Sequence, residues 1–203
     1  MSKPNMLIDL KRCVGCMSCI VACKMEHSVP PGIAWNKVET AGPVGTFPDD
    51  LSLYFLPHGC MHCERALCVE ACPTGASYVS EDGLVLIDPD ACLGCDYCVT
   101  ACPYSARSID QATNLAVKCN MCVELLQEGE RPSCVKHCMA YARIFGDMDE
   151  PGNPIEQYLS EGDNASRIVP LLQDKGTGPK VIYLAPKCGM LAQEVPMELT
   201  KGL

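Results

Sequence analysis

Aromatic side chains are scarce in this chain of 203 residues, which has one Trp and three Phe beside seven Tyr. An ordinary core is therefore thinly supplied. Although 48% of the residues count as hydrophobic, 17 of the residues in that class are cysteine. Folds short of core material make up the difference with disulfides or metal. Positive charge is also short: 16 Lys and Arg stand against 25 Asp and Glu, for a net charge of −9. That balance argues against a nucleic-acid footprint. No apolar run approaches the roughly 20 residues of a membrane-spanning helix; the longest, near Leu51–Leu56, is far too short. There is no P-loop, no dinucleotide glycine fingerprint and no C-x3-C-x2-C triplet of the radical type, so no substrate chemistry is announced.

What is present is cysteine in a regular pattern. Sixteen of the 17 fall into four groups of four. Group one is Cys13, Cys16, Cys19 and Cys23, spaced C-x2-C-x2-C-x3-C. Group two is Cys60, Cys63, Cys68 and Cys72, spaced C-x2-C-x4-C-x3-C and followed by Pro73. Group three, Cys92, Cys95, Cys98 and Cys102, repeats the first spacing and is followed by Pro103. Group four opens with Cys119 and Cys122 and closes with Cys134 and Cys138.

Three chemistries use such counts. A disulfide framework belongs to secreted chains, and Met1–Lys11 has neither a basic stretch leading into an apolar one nor a twin arginine. Zinc takes four thiolates but usually pairs two C-x2-C units across a longer loop. Three cysteines within seven residues suit a cubane iron–sulfur cluster, whose corners must be reached from one turn of chain, while the fourth, after x3, serves a neighbouring cluster. Iron–sulfur is the expectation, with a structural zinc module as the remote alternative.

The groups sit in an internal repeat. Ile8-Asp9-x3-Cys13-Val14-Gly15-Cys16 matches Ile87-Asp88-x3-Cys92-Leu93-Gly94-Cys95. Behind the last cysteine, Cys72-Pro73-x-x-Ala76 matches Cys102-Pro103-x-x-Ala106 and, more loosely, Cys138-Met139-x-x-Ala142. Group one departs with Lys24 in the proline position. The unit reads as strand, cysteine loop, then a turn of helix. Gly15, Gly94 and Ala76 would let backbone approach a cluster and donate N–H groups to its sulfurs. The turn-prone Ser80-Glu81-Asp82-Gly83 between Ala76–Val79 and Leu84–Asp88 predicts a β-hairpin. Residues 24–59 and the tail beyond about Gly146 are rich in Pro and Gly, and they read as docking surfaces or as covers for the clusters. The apolar run Val181–Leu184 reads as an edge strand.

The chain resembles the four-cluster iron–sulfur subunits of the dimethyl-sulfoxide-reductase superfamily, and is most similar to the polysulfide, tetrathionate and arsenate reductase branch. The matching stretches include Val21-Ala22-Cys23-Lys24-Met25-Glu26, Val29-Pro30-Pro31-Gly32, Cys72-Pro73-Thr74-Gly75-Ala76-Ser77-Tyr78, Asp82–Asp88 and Phe145-Gly146-Asp147. The resemblance implies an α+β fold of two interleaved ferredoxin-like modules with loop insertions. One is formed by 1–30 with 110–150 and the other by 55–109, with an insertion at 31–54 and a C-terminal docking extension at 151–203. It implies four 4Fe-4S clusters in crossed sets: Cys13, Cys16, Cys19 and Cys138; Cys23, Cys119, Cys122 and Cys134; Cys60, Cys63, Cys68 and Cys102; Cys72, Cys92, Cys95 and Cys98. Cys188 is left over and is not expected to be a ligand.

The activity implied is electron relay, non-catalytic in itself, between a large molybdopterin (Mo or W) subunit and a quinone-linked membrane anchor or other redox partner. A polyferredoxin, or the wire of a hydrogenase or formate complex, is the alternative. The location expected is cytoplasmic, or at the membrane periphery after export in company with a Tat-targeted partner. Among the remaining residues, His62 and His137 lie beside ligand cysteines and are candidate donors to cluster sulfur. Lys24 is a candidate charge beside Cys23, and Trp35 a residue for a partner surface or the module boundary.

Overall fold

Each cysteine group is reached from a strand and left on a short helix in the computed structural model, which describes residues 3–49 and 51–186. Strand β1 (Pro4–Asp9) runs into group one and helix α1 (Ser18–Glu26). Strands β2 (Asn36–Val44) and β3 (Ser52–Gly59) form a long antiparallel hairpin that delivers the chain to group two and helix α2 (Leu67–Glu70). The hairpin β4 (Ser77–Val79) and β5 (Val85–Ile87) leads to group three and α3 (Tyr97–Thr100). The hairpin β6 (Ser108–Asp110) and β7 (Leu115–Val117) leads to group four, which carries α4 (Val123–Gln127) and α5 (Ser133–Lys136). The unit of strand, loop and helical turn thus occurs four times in an α+β fold.

Local sequence explains the lengths. Pro73 and Pro103 follow the last cysteine of groups two and three, and the short helices there stop at Glu70 and Thr100. With Lys24 in that position, α1 continues to Glu26. The two repeated aspartates close the turn after their strands: Lys11 N–H donates to Asp9 Oδ1 at 2.9 Å, and Asp90 N–H to Asp88 Oδ1 at 3.0 Å. The hairpin expected around Ser80–Gly83 is formed, with Gly83 N–H bonded to the Ser80 carbonyl.

Beyond group four, strand β8 (Arg143–Asp147), helix α6 (Pro154–Ser160), a 3-10 turn at Asn164–Arg167, strand β9 (Ile168–Val169), a second 3-10 turn at Gln173–Lys175 and strand β10 (Val181–Leu184) complete the chain that is described. Asn153 caps α6, accepting the N–H groups of Ile155 and Glu156, with Pro154 at the first helical position. The main sheet has the order β8-β1-β10-β9, with β1 antiparallel to β8 and parallel to β10. The run Val181–Leu184, expected at an edge, is instead an interior strand. It pairs with β1 from Met6↔Val181 onward and with β9 at Tyr183 and Leu184. The reason is its composition, since an unbroken apolar strand suits a parallel pairing covered on both faces.

Alternation along β1 divides the core. Met6 and Ile8 face the cysteine loops together with Tyr54, Met61, Met121 and Tyr183, while Leu7 packs with Ile155 and Leu184 on the other face. Residues 176–180 return across group two. Glu64 and Arg65 N–H groups bond the carbonyls of Gly178 and Thr177, and Lys180 N–H bonds that of Met61. The segment holding Cys188 lies outside the described residues.

Candidate metal centres

The four groups share a backbone device that the sequence shows only in part. The second residue after the first cysteine is left-handed every time: Gly15 at φ 66°, His62 at 45°, Gly94 at 67° and Met121 at 62°. Such a residue turns successive N–H groups toward one concave side, which makes a cradle for negative charge. A second device follows the last cysteine of groups two, three and four. Gly75, Ser105 and Tyr141 are left-handed, and an alanine follows each. Ala142 N–H donates to Cys138 Sγ at 3.3 Å, Ser77 N–H to Cys72 Sγ at 3.4 Å, and Met121 N–H to Cys119 Sγ at 3.4 Å. The expected N–H donation to sulfur is therefore built in. At Cys72 it outweighs burial, and with Thr74 brings the thiol down to about 7.

The groups come together in pairs. Helix α1 packs on α5 and α2 on α3, which brings group one to group four and group two to group three. One cavity is lined by Cys13, Cys16 and Cys19 from the first turn of chain and by Cys138. Burial, then Cys134 and Cys19, push the Cys23 thiol up to about 11, and burial with Cys134 and Cys23 takes Cys122 to about 12. Cys63 is raised to about 12 by burial together with Cys60, Cys102 and Cys68. Cys119 is raised by burial and by Cys60, Cys134 and Cys23, so groups two and four also meet. Cys98 lies on α3 and Cys72 just beyond α2, the helix that α3 packs on, and Cys95 is exposed. All sixteen are free thiols. Among the described residues no three Cys, His, Asp or Glu side chains converge as a single metal ion requires.

The basic residues around the thiols were mostly not anticipated. Arg143, Lys118 and Arg107 are buried. Arg143 sends one nitrogen toward Cys134 Sγ at 3.6 Å and another to Asn36 Oδ1 at 3.2 Å. Burial would lower its pKa, yet Cys134 and Cys19 hold it raised. Arg107 donates to Ser77 Oγ at 2.6 Å, and Lys118 to the carbonyls of Val85 and Cys119. A signal for two of them existed: Arg107 and Arg143 each stand directly behind the Ala that follows Cys102 and Cys138 by four.

The histidines divide differently from expectation. His62 is fully buried, and its Nδ1 accepts Val85 N–H at 3.2 Å, so Nε2 carries the proton. Nε2 has no hydrogen-bond partner, while the neighbouring Cys60 thiol, which burial would raise, is drawn down to about 5 by His62 and Lys118. His137 turns away, its Nδ1 bonding the Ser133 carbonyl at 2.9 Å. The histidine that touches a thiol directly is His27, with Nε2 3.1 Å from Cys122 Sγ and its ring 4.9 Å from Trp35. Lys24 is occupied with the carbonyls of Pro30 and Ile33, which close the loop after α1.

This donor set fits iron–sulfur clusters. Sixteen unbridged thiols line loops whose N–H groups point at sulfur, and polar hydrogens of His62 and Arg107 stand orphaned beside them. Fold and site together define an iron–sulfur protein of the multi-cluster ferredoxin type. In comparisons with known proteins, two family models, each described as a 4Fe-4S dicluster domain, match residues 12–76 and 51–148. The chain is 41% identical to a tetrathionate reductase subunit of Salmonella typhimurium, over 88% of this chain and 71% of the relative. It is 40% identical to a polysulfide reductase chain of Wolinella succinogenes, over 92% and 96%. It is 36% identical to a selenate reductase subunit of Mesobacillus selenatarsenatis, over 88% and 70%. The chain belongs to the iron–sulfur electron-transfer subunits of the dimethyl-sulfoxide-reductase superfamily. Two dicluster domains and sixteen cysteines make four 4Fe-4S clusters, carried by a subunit that transfers electrons and is not the catalytic one.

Proposed function

We propose that the chain relays electrons through four clusters in crossed ligand sets, between a molybdopterin catalytic subunit and a quinone-linked membrane anchor or other redox partner. The sets are Cys13, Cys16, Cys19 and Cys138; Cys23, Cys119, Cys122 and Cys134; Cys60, Cys63, Cys68 and Cys102; and Cys72, Cys92, Cys95 and Cys98. One observation carries the reading: Cys138 lines the same cavity as Cys13, Cys16 and Cys19. Clusters supply one-electron exchange at potentials set by hydrogen bonds, charge and exposure. The protein's residues hold the sulfurs, aim N–H groups at them and bury Cys19, Cys23, Cys98, Cys122 and Cys134, while Cys16 and Cys95 stand exposed and the rest are half-buried.

Groups one and four would then form one ferredoxin-like module, interleaved with a second made of groups two and three. The order from end to end follows the thiol neighbours: Cys19 beside Cys134, Cys119 beside Cys60, and Arg107 beside both Cys68 and Cys98. Each end presents apolar side chains around an exposed cysteine. Val14, Met25 and Met139 surround Cys16, and Leu93 and Tyr97 flank Cys95. Such surfaces favour a docked subunit over a free polyferredoxin. The catalytic subunit is assigned to the group-one end and the anchor or other redox partner to the group-three end. No helix of the described residues is long and apolar enough to cross a membrane.

The test is Cys138→Ser in the purified complex, followed by EPR. The cluster of Cys13, Cys16 and Cys19 should be perturbed and that of Cys119 spared; the reverse would overturn the module assignment. Metal analysis should give roughly sixteen irons per chain, four to each cubane. Four zincs would end the reading. Purification as an active monomer without a large subunit would remove the molybdopterin partner.

A further inference from the structure

Besides Lys180, which is 8% exposed, donates to the Gly83 carbonyl and feels the charge of Glu64, three cations lie buried without a carboxylate partner among the described residues: Arg143 at 6% exposure, Lys118 at 4% and Arg107 at 4%. Arg167 shows the ordinary arrangement, paired to Asp9 at 2.8 Å. A buried cation with no counter-charge is strongly disfavoured. The hydrogen-bond acceptors of these three are neutral amides, carbonyls, a hydroxyl and sulfur. Arg107 keeps two nitrogens, Nε and one of its terminal pair, with no acceptor at all. What each does face is thiols of two adjoining cluster sites. Arg143 acts on Cys19 and Cys13 of one site and on Cys134, Cys119 and Cys23 of the next. Lys118 holds the Cys119 carbonyl and acts on Cys60 and Cys68. Arg107 faces Cys68 and Cys60 on one side and Cys98 on the other.

We propose that Arg143, Lys118 and Arg107 are potential-setting residues, one at each step between successive clusters, and that each holds the two clusters it faces at higher reduction potential. The proposal rests on the ligand sets above. A thiolate-ligated cluster is negative and gains one further negative charge when it accepts one electron; no bond forms or breaks and no proton moves. A fixed cation beside it stabilises that reduced form. Placed between two clusters, the same cation also offsets the repulsion between an electron on one and an electron on the next. The guanidinium charge of Arg is permanent, so for Arg143 and Arg107 the effect does not depend on pH.

The test is a redox titration of the purified, cluster-loaded complex, read by EPR, with the signals assigned through Cys→Ser variants. Arg143→Met, Lys118→Met and Arg107→Met should each make reduction of two clusters at least tenfold less favourable. For a one-electron couple that is a downward shift of about 59 mV or more. The pairs should be the first and second, the second and third, and the third and fourth clusters respectively. Arg143→Lys and Arg107→Lys, which keep the charge, should recover most of the shift. Variants with full iron and unchanged potentials would overturn the proposal, as would equal shifts of all four clusters or Lys variants shifted as far as Met. Should Arg143→Met fail to retain iron, the other two variants decide the matter by which pair responds. A wrong ligand set would be recognised separately, by Cys138→Ser disturbing a cluster other than that of Cys13. It would change which signals respond to a cation but not their number, two of four.

Discussion

Gly94 and Gly75 occupy similar left-handed positions for different physical reasons. A Cβ on Gly94 would stand 2.0 Å from the Asn114 backbone oxygen in the β6–β7 turn, whereas a Cβ on Gly75 meets nothing within 4 Å. Gly75→Ala should therefore carry only the left-handed penalty, about 1–2 kcal/mol. Gly94→Ala must also displace backbone, and should lose clearly more stability and shed iron from the group-three site. Thermal unfolding with an iron assay of both variants checks the ordering, and equal losses would remove the role given to Asn114. His62 makes a second case at this scale. Its Nδ1 is the acceptor for the buried Val85 N–H, so His62→Leu should cost about 1–3 kcal/mol for the orphaned donor, with a changed signal from the cluster of Cys60. The sixteen cysteines and their iron–sulfur chemistry were legible because spacing encodes that chemistry; which of them share a cluster is part of the proposal. The cations were not, because a single Arg or Lys reads as surface until the fold buries it.

Strands and helices depend on a few polar ties, of which Asp9 is the most connected. It accepts both terminal nitrogens of Arg167, at 3.0 and 2.8 Å, and the Tyr158 hydroxyl at 2.7 Å, so it joins the end of β1 to α6 and the turn before β9. Burial would raise its carboxyl, but Arg167 and Tyr158 outweigh that and hold it below the usual carboxylate value. The folded pKa is the lower one. The tie is thus at full strength above the unfolded value of about 3.9, and is lost as pH falls through the folded one. Acid should loosen α6 and β9 before the cysteine loops, seen as earlier amide exchange in 154–169. Asp9→Ala should cost about 3–5 kcal/mol at neutral pH, since it leaves Arg167 charged and buried; a urea midpoint close to wild type would refute this. The strand–loop–helix unit was legible from the repeat, as was the hairpin at Ser80–Gly83. The position of Val181–Leu184 was not, because a short apolar run says that it is buried and not between which strands.

For the molecule as a whole, the inner face of the sheet is completed by sulfur together with a few tyrosines, Tyr54, Tyr104 and Tyr183. Removing iron with a chelator under reducing conditions would leave inward-turned thiols and, beside them, Arg143, Lys118 and Arg107 buried without counter-charge, so the fold should collapse cooperatively. Far-UV circular dichroism and hydrodynamic radius would report it, and an apo-protein that keeps the spectrum of the loaded one would refute the dependence. Thin aromatics and dense cysteine foretold that dependence, whereas the path of residues 176–180 back across group two left no mark in the sequence. Finally, β1 is bonded on one edge by β8 and on the other by β10, with Met6 facing both Phe145 and Val181. In the order of synthesis β1 therefore stays unpaired until β8 and then β10 have been made, while the β4–β5 hairpin joins near neighbours and can zip as soon as it appears. Group one, which follows β1 directly, is thus fixed in place only once strands far along the chain have closed on that strand.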